Sequence, residues 1–191
     1  MDNPELQPFA EPLQAVQQLI QHYNQQGIVI GGVAASLPGK PRFTADIDLV
    51  LLLRVDDLPE LIRTIQQMGL SPRIADAENF ARKHRVLLLV HEKSQINVDI
   101  SLGVLPFEAE AVARSQVQKI GDLVLRLPTA SDLIILKAIA HRPKDLLDIR
   151  GIIESNSDLD HDRIHDWVTQ FAELLELPEL WDDIAGWFKQ V

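Results

Sequence analysis

Asp46 and Asp48 stand one residue apart in the run Ala45-Asp46-Ile47-Asp48-Leu49-Val50-Leu51-Leu52-Leu53. The apolar residues that follow read as a strand, and strand side chains alternate between faces. Both carboxylates then project to one side and Ile47 to the other. Two like charges on one face repel each other and resist desolvation, and a divalent cation between them relieves both effects. Spacing alone does not separate this reading from two acids at a solvated strand end. Upstream, Ile28-Val29-Ile30 is closed by Gly31-Gly32 and followed by a short helix candidate, Val33 to Leu37. Bare backbone N–H groups at such a turn can approach phosphate oxygens closely. Strand, Gly-Gly, helix and acid-bearing strand in that order suit phosphoryl transfer, with magnesium held by carboxylates against a triphosphate. Asp99, within Asn97-Val98-Asp99-Ile100, places a third charge in an apolar run. It reads either as an edge-strand acid facing water or as a third carboxylate beside the pair. In the second case it is a ligand for a second metal or the base for an attacking hydroxyl.

The elements that must position these residues are legible from periodicity. Leu13, Val16, Leu19, Ile20 and Tyr23 recur at helical spacing in the stretch from Pro12 to Gln26, with Gly27 as the expected C-terminal stop. Ala45 to Leu53 is a strand. Pro59 to Met68 is an amphipathic helix with Asp56 or Asp57 as its cap. Arg85 to His91 and Gln95 to Leu102 are strands joined at Glu92-Lys93-Ser94, and Pro106 to Arg114 is helical. Val117 to Ile120 and Leu123 to Leu127 flank Gly121-Asp122 as a tight hairpin. The pattern then turns helical: Thr129 and Asp132 form a capping box ahead of Leu133 to Ile139, and Pro143 suits the first turn of the next helix. Two further helices, Asp160 or His161 to Leu175 and Pro178 to Lys189, complete the chain.

Composition narrows the class. With 191 residues, 46% hydrophobic and 24% charged, the chain can bury a core without staples, and the lack of cysteine excludes disulfides, thiolate zinc sites and a cysteine nucleophile. Met1 to Glu11 has neither the basic start nor the apolar core of a secretory leader. Leu49 to Leu53, an apolar stretch that no other exceeds, is far below the ~20 residues of a membrane span. A soluble, cytoplasmic protein is expected. The net charge of −10 disfavours bulk attraction to nucleic acid. Arg73, Arg82, Lys83, His84 and Arg85 form a local basic cluster, which reads as a solvated loop and helix end. Beyond Glu154 acids dominate. His161 and His165 lie four apart with no third ligand, so zinc is not expected. Trp167, Trp181 and Trp187 read as core or as an interaction surface for a protein partner.

Gly31-Gly32, thirteen residues, then Asp46-Ile47-Asp48 resembles the signature of the DNA polymerase β-like nucleotidyltransferase superfamily. The fuller run, Ile28 to Ser36 and then Arg42-Phe43-Thr44-Ala45-Asp46-Ile47-Asp48-Leu49, resembles the branch of AbiEii-type toxins and related nucleotidyltransferase-like proteins. Lys137 followed by Arg142-Pro143-Lys144-Asp145-Leu146-Leu147-Asp148 is similar to a helical motif of that branch. The resemblance covers roughly residues 25 to 150. It implies an α+β nucleotidyltransferase fold, a small mixed sheet with flanking helices over 1–128, followed by C-terminal helices over 129–191. It implies Mg2+ on Asp46, Asp48 and Asp99, and a triphosphate lined by Gly31, Gly32 and Ser36. Arg42 and Thr44 would steady phosphates or the local loop, and Lys137 would reach the nucleotide. Asp145 and Asp148 would orient Lys137 or pair with basic neighbours; Lys144 and Asp148 also read as an exposed ion pair. The superfamily often has serine where Gly32 stands, so backbone contacts replace a hydroxyl there. The implied activity is transfer of a nucleoside monophosphate from an NTP to an unidentified acceptor, whether tRNA, protein or small molecule. A toxin of a toxin–antitoxin pair is one setting. The alternatives are an inactive nucleotide- or partner-binding module and an antibiotic nucleotidyltransferase.

Overall fold

The computed structural model describes residues 4–36 and 46–189. These fall into two compact units: residues 4–33 with 46–127, and residues 34–36 with 128–189.

A 3-10 turn, Pro4–Phe9, leads into helix α1 (Ala10–His22), whose buried stripe is Leu13, Ala15, Val16, Leu19 and Ile20. The helix stops before the expected Gln26. Asn24 and Gln25 take positive φ, and Gly27 is the first residue of strand β1 (Gly27–Ile30) rather than a helix stop. A Cβ at Gly27 would lie 2.9 Å from the carbonyl oxygen of Val50, so strand pairing demands this glycine. Helix α2 spans Gly31–Ser36, starting two residues earlier than the apolar pattern indicates.

Strand β2 (Asp46–Leu51) pairs antiparallel with β1 and parallel with β5 (Asn97–Leu102). Helix α3 (Leu58–Gln66) follows β2, with Asp57 at its N-cap but no side-chain cap bond. Two elements were not legible: strand β3 (Leu70–Pro72) and helix α4 (Ala77–His84). Pro72 suits an edge position, since it has no N–H to donate. The buried face of α4 is Ala77 and Ala81, too small to show as an apolar stripe. Strand β4 (Val86–His91) joins β3 and β5 antiparallel, giving a mixed five-stranded sheet in the order β1-β2-β5-β4-β3. Helix α5 (Pro106–Ala113) and a separate hairpin, β6 (Gln116–Ile120) and β7 (Leu123–Leu127), complete this unit.

Burial alternates along β5 and over the first four residues of β2. Ile47, Leu49, Val98 and Ile100 are wholly buried, while Asp46, Asp48, Asn97 and Asp99 are half-buried on the opposite face. Each buried aliphatic side chain contributes about 2 kcal/mol, and a one-residue slip would exchange the faces. The apolar face therefore fixes which way the acids point.

The second unit is helical. Helix α6 (Ala130–Ala140) starts at Thr129, whose hydroxyl oxygen accepts from the Asp132 N–H at 3.1 Å, the N-cap half of the expected box, while the hydroxyl itself donates to the Asp132 carboxylate. It ends at His141 in the left-handed region. Pro143 opens α7 (Pro143–Ser155), and α8 (His161–Leu175) and α9 (Glu179–Ala185) follow. Asp132 is fully buried and meets Arg163 Nε at 2.7 Å, tying α6 to α8.

Candidate nucleotide-transfer site

The parallel register of β2 and β5 places Asp46 beside Asn97 and Asp48 beside Asp99. Period-two alternation then puts all four side chains on one face of the sheet. Asn97 Nδ2 donates to Asp46 Oδ1 at 2.9 Å, which leaves the asparagine orienting one carboxylate. The third acid is thus a near neighbour of the pair despite its distance in sequence.

Gly31 faces the same acids. Its φ is +68°, in the left-handed region that favours glycine. A Cβ built there would overlap the Asp48 carboxylate. The turn backbone is therefore packed directly against a carboxylate that the sequence reads as a metal ligand. Gly32 follows in the first turn of α2 and Ser36 closes that helix. Arg42 and Thr44 lie outside the described residues.

Asp99 carries a partner that the sequence reading did not find. Arg73, immediately after β3, sets Nη1 at 2.7 Å from Oδ1 and donates from Nη2 to Oδ2 at 3.0 Å. Oδ1 is buried and receives no well-aligned hydrogen bond, so its contact with Nη1 is chiefly electrostatic. Burial pushes the Asp99 carboxyl above the usual carboxylate range, and the charge of Asp46 adds to this, against the opposing pull of Arg73. The signal for Asn97 was available as the period-two neighbour of Asp99. Arg73 had no such signal, because its strand was itself unread.

Among the described residues no three Asp, Glu or His side chains already converge as a metal cluster. The donor chemistry nevertheless fits a hard cation, with the carboxylates of Asp46, Asp48 and Asp99 on one face of the sheet. Asp46, Asp48 and Asp99 are the residues that would hold it.

The second unit gathers Lys137, Asp145 and Asp148. Lys137 Nζ lies 2.6 Å from Asp148 Oδ2 and 3.3 Å from Asp145 Oδ1, and the three side chains are only 4%, 7% and 1% exposed. Arg142 Nε donates to Asp145 Oδ2 at 2.5 Å. Burial pushes the Asp145 carboxyl up, but Arg142 and Lys137 together outweigh this and hold it below the ordinary range. Asp148 pairs with Lys137 across two helices, and the expected Lys144–Asp148 pair is replaced by that contact.

A mixed sheet carrying acids on one face, with a glycine turn against them, defines a nucleotidyltransferase domain. The chain belongs to the family described as nucleotidyltransferase of unknown function (DUF6036), whose model matches residues 9–179. It is therefore a nucleotidyltransferase by family and by fold. The antibiotic-resistance factor ANT(2'')-Ia has a similar fold at 16% identity and a TM-score of 0.58, covering 94% of this chain and 97% of its own. An antigenic nucleotidyltransferase-like protein from Paracoccidioides brasiliensis is similar at 14% identity and a TM-score of 0.54, covering 94% of this chain and 91% of its own. No protein of curated function matches the sequence. No helix among the described residues is long and apolar enough to cross a membrane.

Proposed function

We propose that the protein is a magnesium-dependent enzyme that transfers a nucleoside monophosphate from an NTP to a small, neutral or cationic acceptor. The observation that carries this is the acid face of β2 and β5 with the Gly31 turn packed against Asp48. Bound magnesium would supply charge neutralisation of the triphosphate. Asp46 and Asp48 hold the cation, Asn97 orients Asp46, and Asp99 completes the carboxylate set or takes the acceptor's proton. Backbone N–H groups of Gly31 and Gly32, with the Ser36 hydroxyl, bind phosphate oxygens. Arg42 and Thr44 would steady phosphates or the local loop. Lys137, held by Asp145 and Asp148, is the cation of the helical part to which the resemblance assigns a nucleotide contact. Residues 1–128 form the catalytic core and 129–191 its helical complement. Positioning and charge stabilisation suffice for such a reaction, with no covalent nucleophile.

The net charge of −10 favours a small acceptor over long RNA, because a polyanion would be repelled. The fold-level likeness to an antibiotic-resistance factor agrees with that direction. An AbiEii-like toxin, working in the cytoplasm beside an antitoxin bound at the C-terminal helices, is the biological setting that the Arg42 to Leu49 run suggests. The test is transfer of label from α-labelled NTPs to a panel of aminoglycosides, other small alcohols, tRNA and protein, with magnesium present or chelated. Wild type should label a small acceptor only with the metal. Asp46→Ala and Asp48→Ala should lose at least about 100-fold, the scale of a lost transition-state charge contact. Full activity in both folded variants would refute the assignment.

A further inference from the structure

Arg73 stands where β3 ends, and its place is well defined by the backbone. Its N–H donates to the Leu88 carbonyl at 3.0 Å, and Nη1 donates to the Leu89 carbonyl at 3.3 Å. Leu88 pairs with Asp99 in the sheet, so the side chain passes over β4 to reach β5 on the acid face. Its planar fork then opposes both oxygens of Asp99, at 2.7 and 3.0 Å. Both side chains keep partial access to solvent, at 28% and 24% exposure. An exchange of partners there needs no opening of the core.

We propose that Arg73 is a positioning residue that occupies Asp99 until nucleotide arrives, so that the site takes divalent metal together with nucleotide rather than metal alone. The inference rests on Asp46, Asp48 and Asp99 being the metal-holding acids. A guanidinium on Asp99 opposes a bare divalent cation in two ways. It withholds one carboxylate, and it adds a positive charge within a few ångströms, worth roughly tenfold in cation affinity at a partly exposed site. A metal–triphosphate complex brings its own acceptors. Phosphate oxygens match the arginine fork as well as a carboxylate does. The group that repels the free ion therefore holds the ion's nucleotide complex once Asp99 is released. Such coupling is reciprocal: whatever factor nucleotide adds to metal affinity, metal adds to nucleotide affinity.

A purely structural Arg73 would pin β3 to β4, and its loss would loosen the sheet edge without tightening metal binding. That difference makes the test decisive. Free Mn2+ is followed by electron paramagnetic resonance as it is titrated into the full chain, alone and with each of four α,β-methylene nucleoside triphosphates, corrected for Mn2+ on nucleotide itself. Wild type is compared with Arg73→Gln, Arg73→Lys and Asp46→Asn, with thermal melts to confirm folding. Arg73→Gln should bind Mn2+ alone about tenfold more tightly than wild type, and the enhancement by nucleotide should shrink by the same factor. Arg73→Lys should fall between, since it keeps the charge and loses the fork. If Arg73→Gln binds Mn2+ alone no more tightly while Asp46→Asn abolishes binding, the role of Arg73 is overturned and the acid site stands. If Asp46→Asn leaves Mn2+ binding intact, the acid site falls and this inference with it. Should Arg73→Gln fail to fold, wild type decides: Mn2+ affinity unaffected by all four analogues overturns the coupling.

Discussion

Gly31 concentrates the site's constraints in one residue. Its positive φ and its contact with Asp48 forbid a side chain for separate reasons. Gly31→Ala should cost about 1–2 kcal/mol from the left-handed backbone alone. It should also displace the Asp48 carboxylate, because the Cβ and that group cannot share the same space. Denaturant unfolding should show the stability loss. Mn2+ titration should show weaker binding than stability alone explains. Gly32→Ala, at a position where the first helical turn begins, should be milder in both measurements. Equal metal affinity in Gly31→Ala and wild type would separate the turn from the acid site. Asn97 acts at the same scale: it holds Asp46 through one hydrogen bond, and its side chain would be the first to notice a change at that carboxylate.

Between elements, the buried charges of α6 and α7 matter most. Lys137 faces Asp148 and Asp145 with almost no solvent, and Asp145 is also met by the exposed Arg142 from the surface side. Desolvating such a group is expensive, and removing one member strands the others. Lys137→Met should therefore destabilise the helical unit by about 3 kcal/mol, read by denaturant unfolding of the full chain followed by Trp fluorescence. A part of that loss should return in Lys137→Met/Asp148→Asn, because the stranded carboxylate is then neutral. If Lys137 also reaches nucleotide, the double variant should recover stability while transfer activity stays low. Recovery of both would assign Lys137 to structure alone. Arg163 and Asp132 form a comparable tie between α6 and α8, with Asp132 additionally receiving the Thr129 hydroxyl at 2.8 Å.

For the whole molecule, pH and charge set the working range. The Asp145 carboxyl is held below its unfolded value, about 3.9 for a free aspartate. A depressed carboxylate stabilises the fold above the unfolded pKa and loses that contribution as pH falls through the folded pKa. Stability of the helical unit should be flat from neutrality down to about pH 4 on account of this group, then decline below it. Asp145→Asn should be less stable at pH 7 and should show a shallower decline in acid. Parallel pH profiles for the two proteins, measured by denaturant unfolding, would refute the linkage. The acidic balance of the chain works in the same direction as the small-acceptor proposal. Added salt should affect transfer to a cationic acceptor chiefly by screening the attraction, whereas a neutral acceptor should be indifferent.

The sequence by itself determined the faces of the central strands. Alternation around Ile47 and Val98 announced that Asp46, Asp48 and Asp99 would each oppose an apolar side, because burial of those residues leaves a charge nowhere else to point. It also determined the glycine turn, the Thr129 cap and the order of sheet before helices, all of which are local in origin. Strand β3 and helix α4 escaped notice, one being three residues with a proline and the other burying only alanines. Tertiary structure alone decided the pairings. The parallel register that sets Asp48 against Asp99 depends on two strands meeting through a crossover. The guanidinium on Asp99 comes from a residue 26 positions away, at the end of a strand with no signature. Asp148 chose Lys137 rather than nearby Lys144 because helix packing buries the first amine and leaves the second in solvent, where an ion pair gains little. Periodicity reports which face a residue occupies; only the packed chain reports which residue faces it.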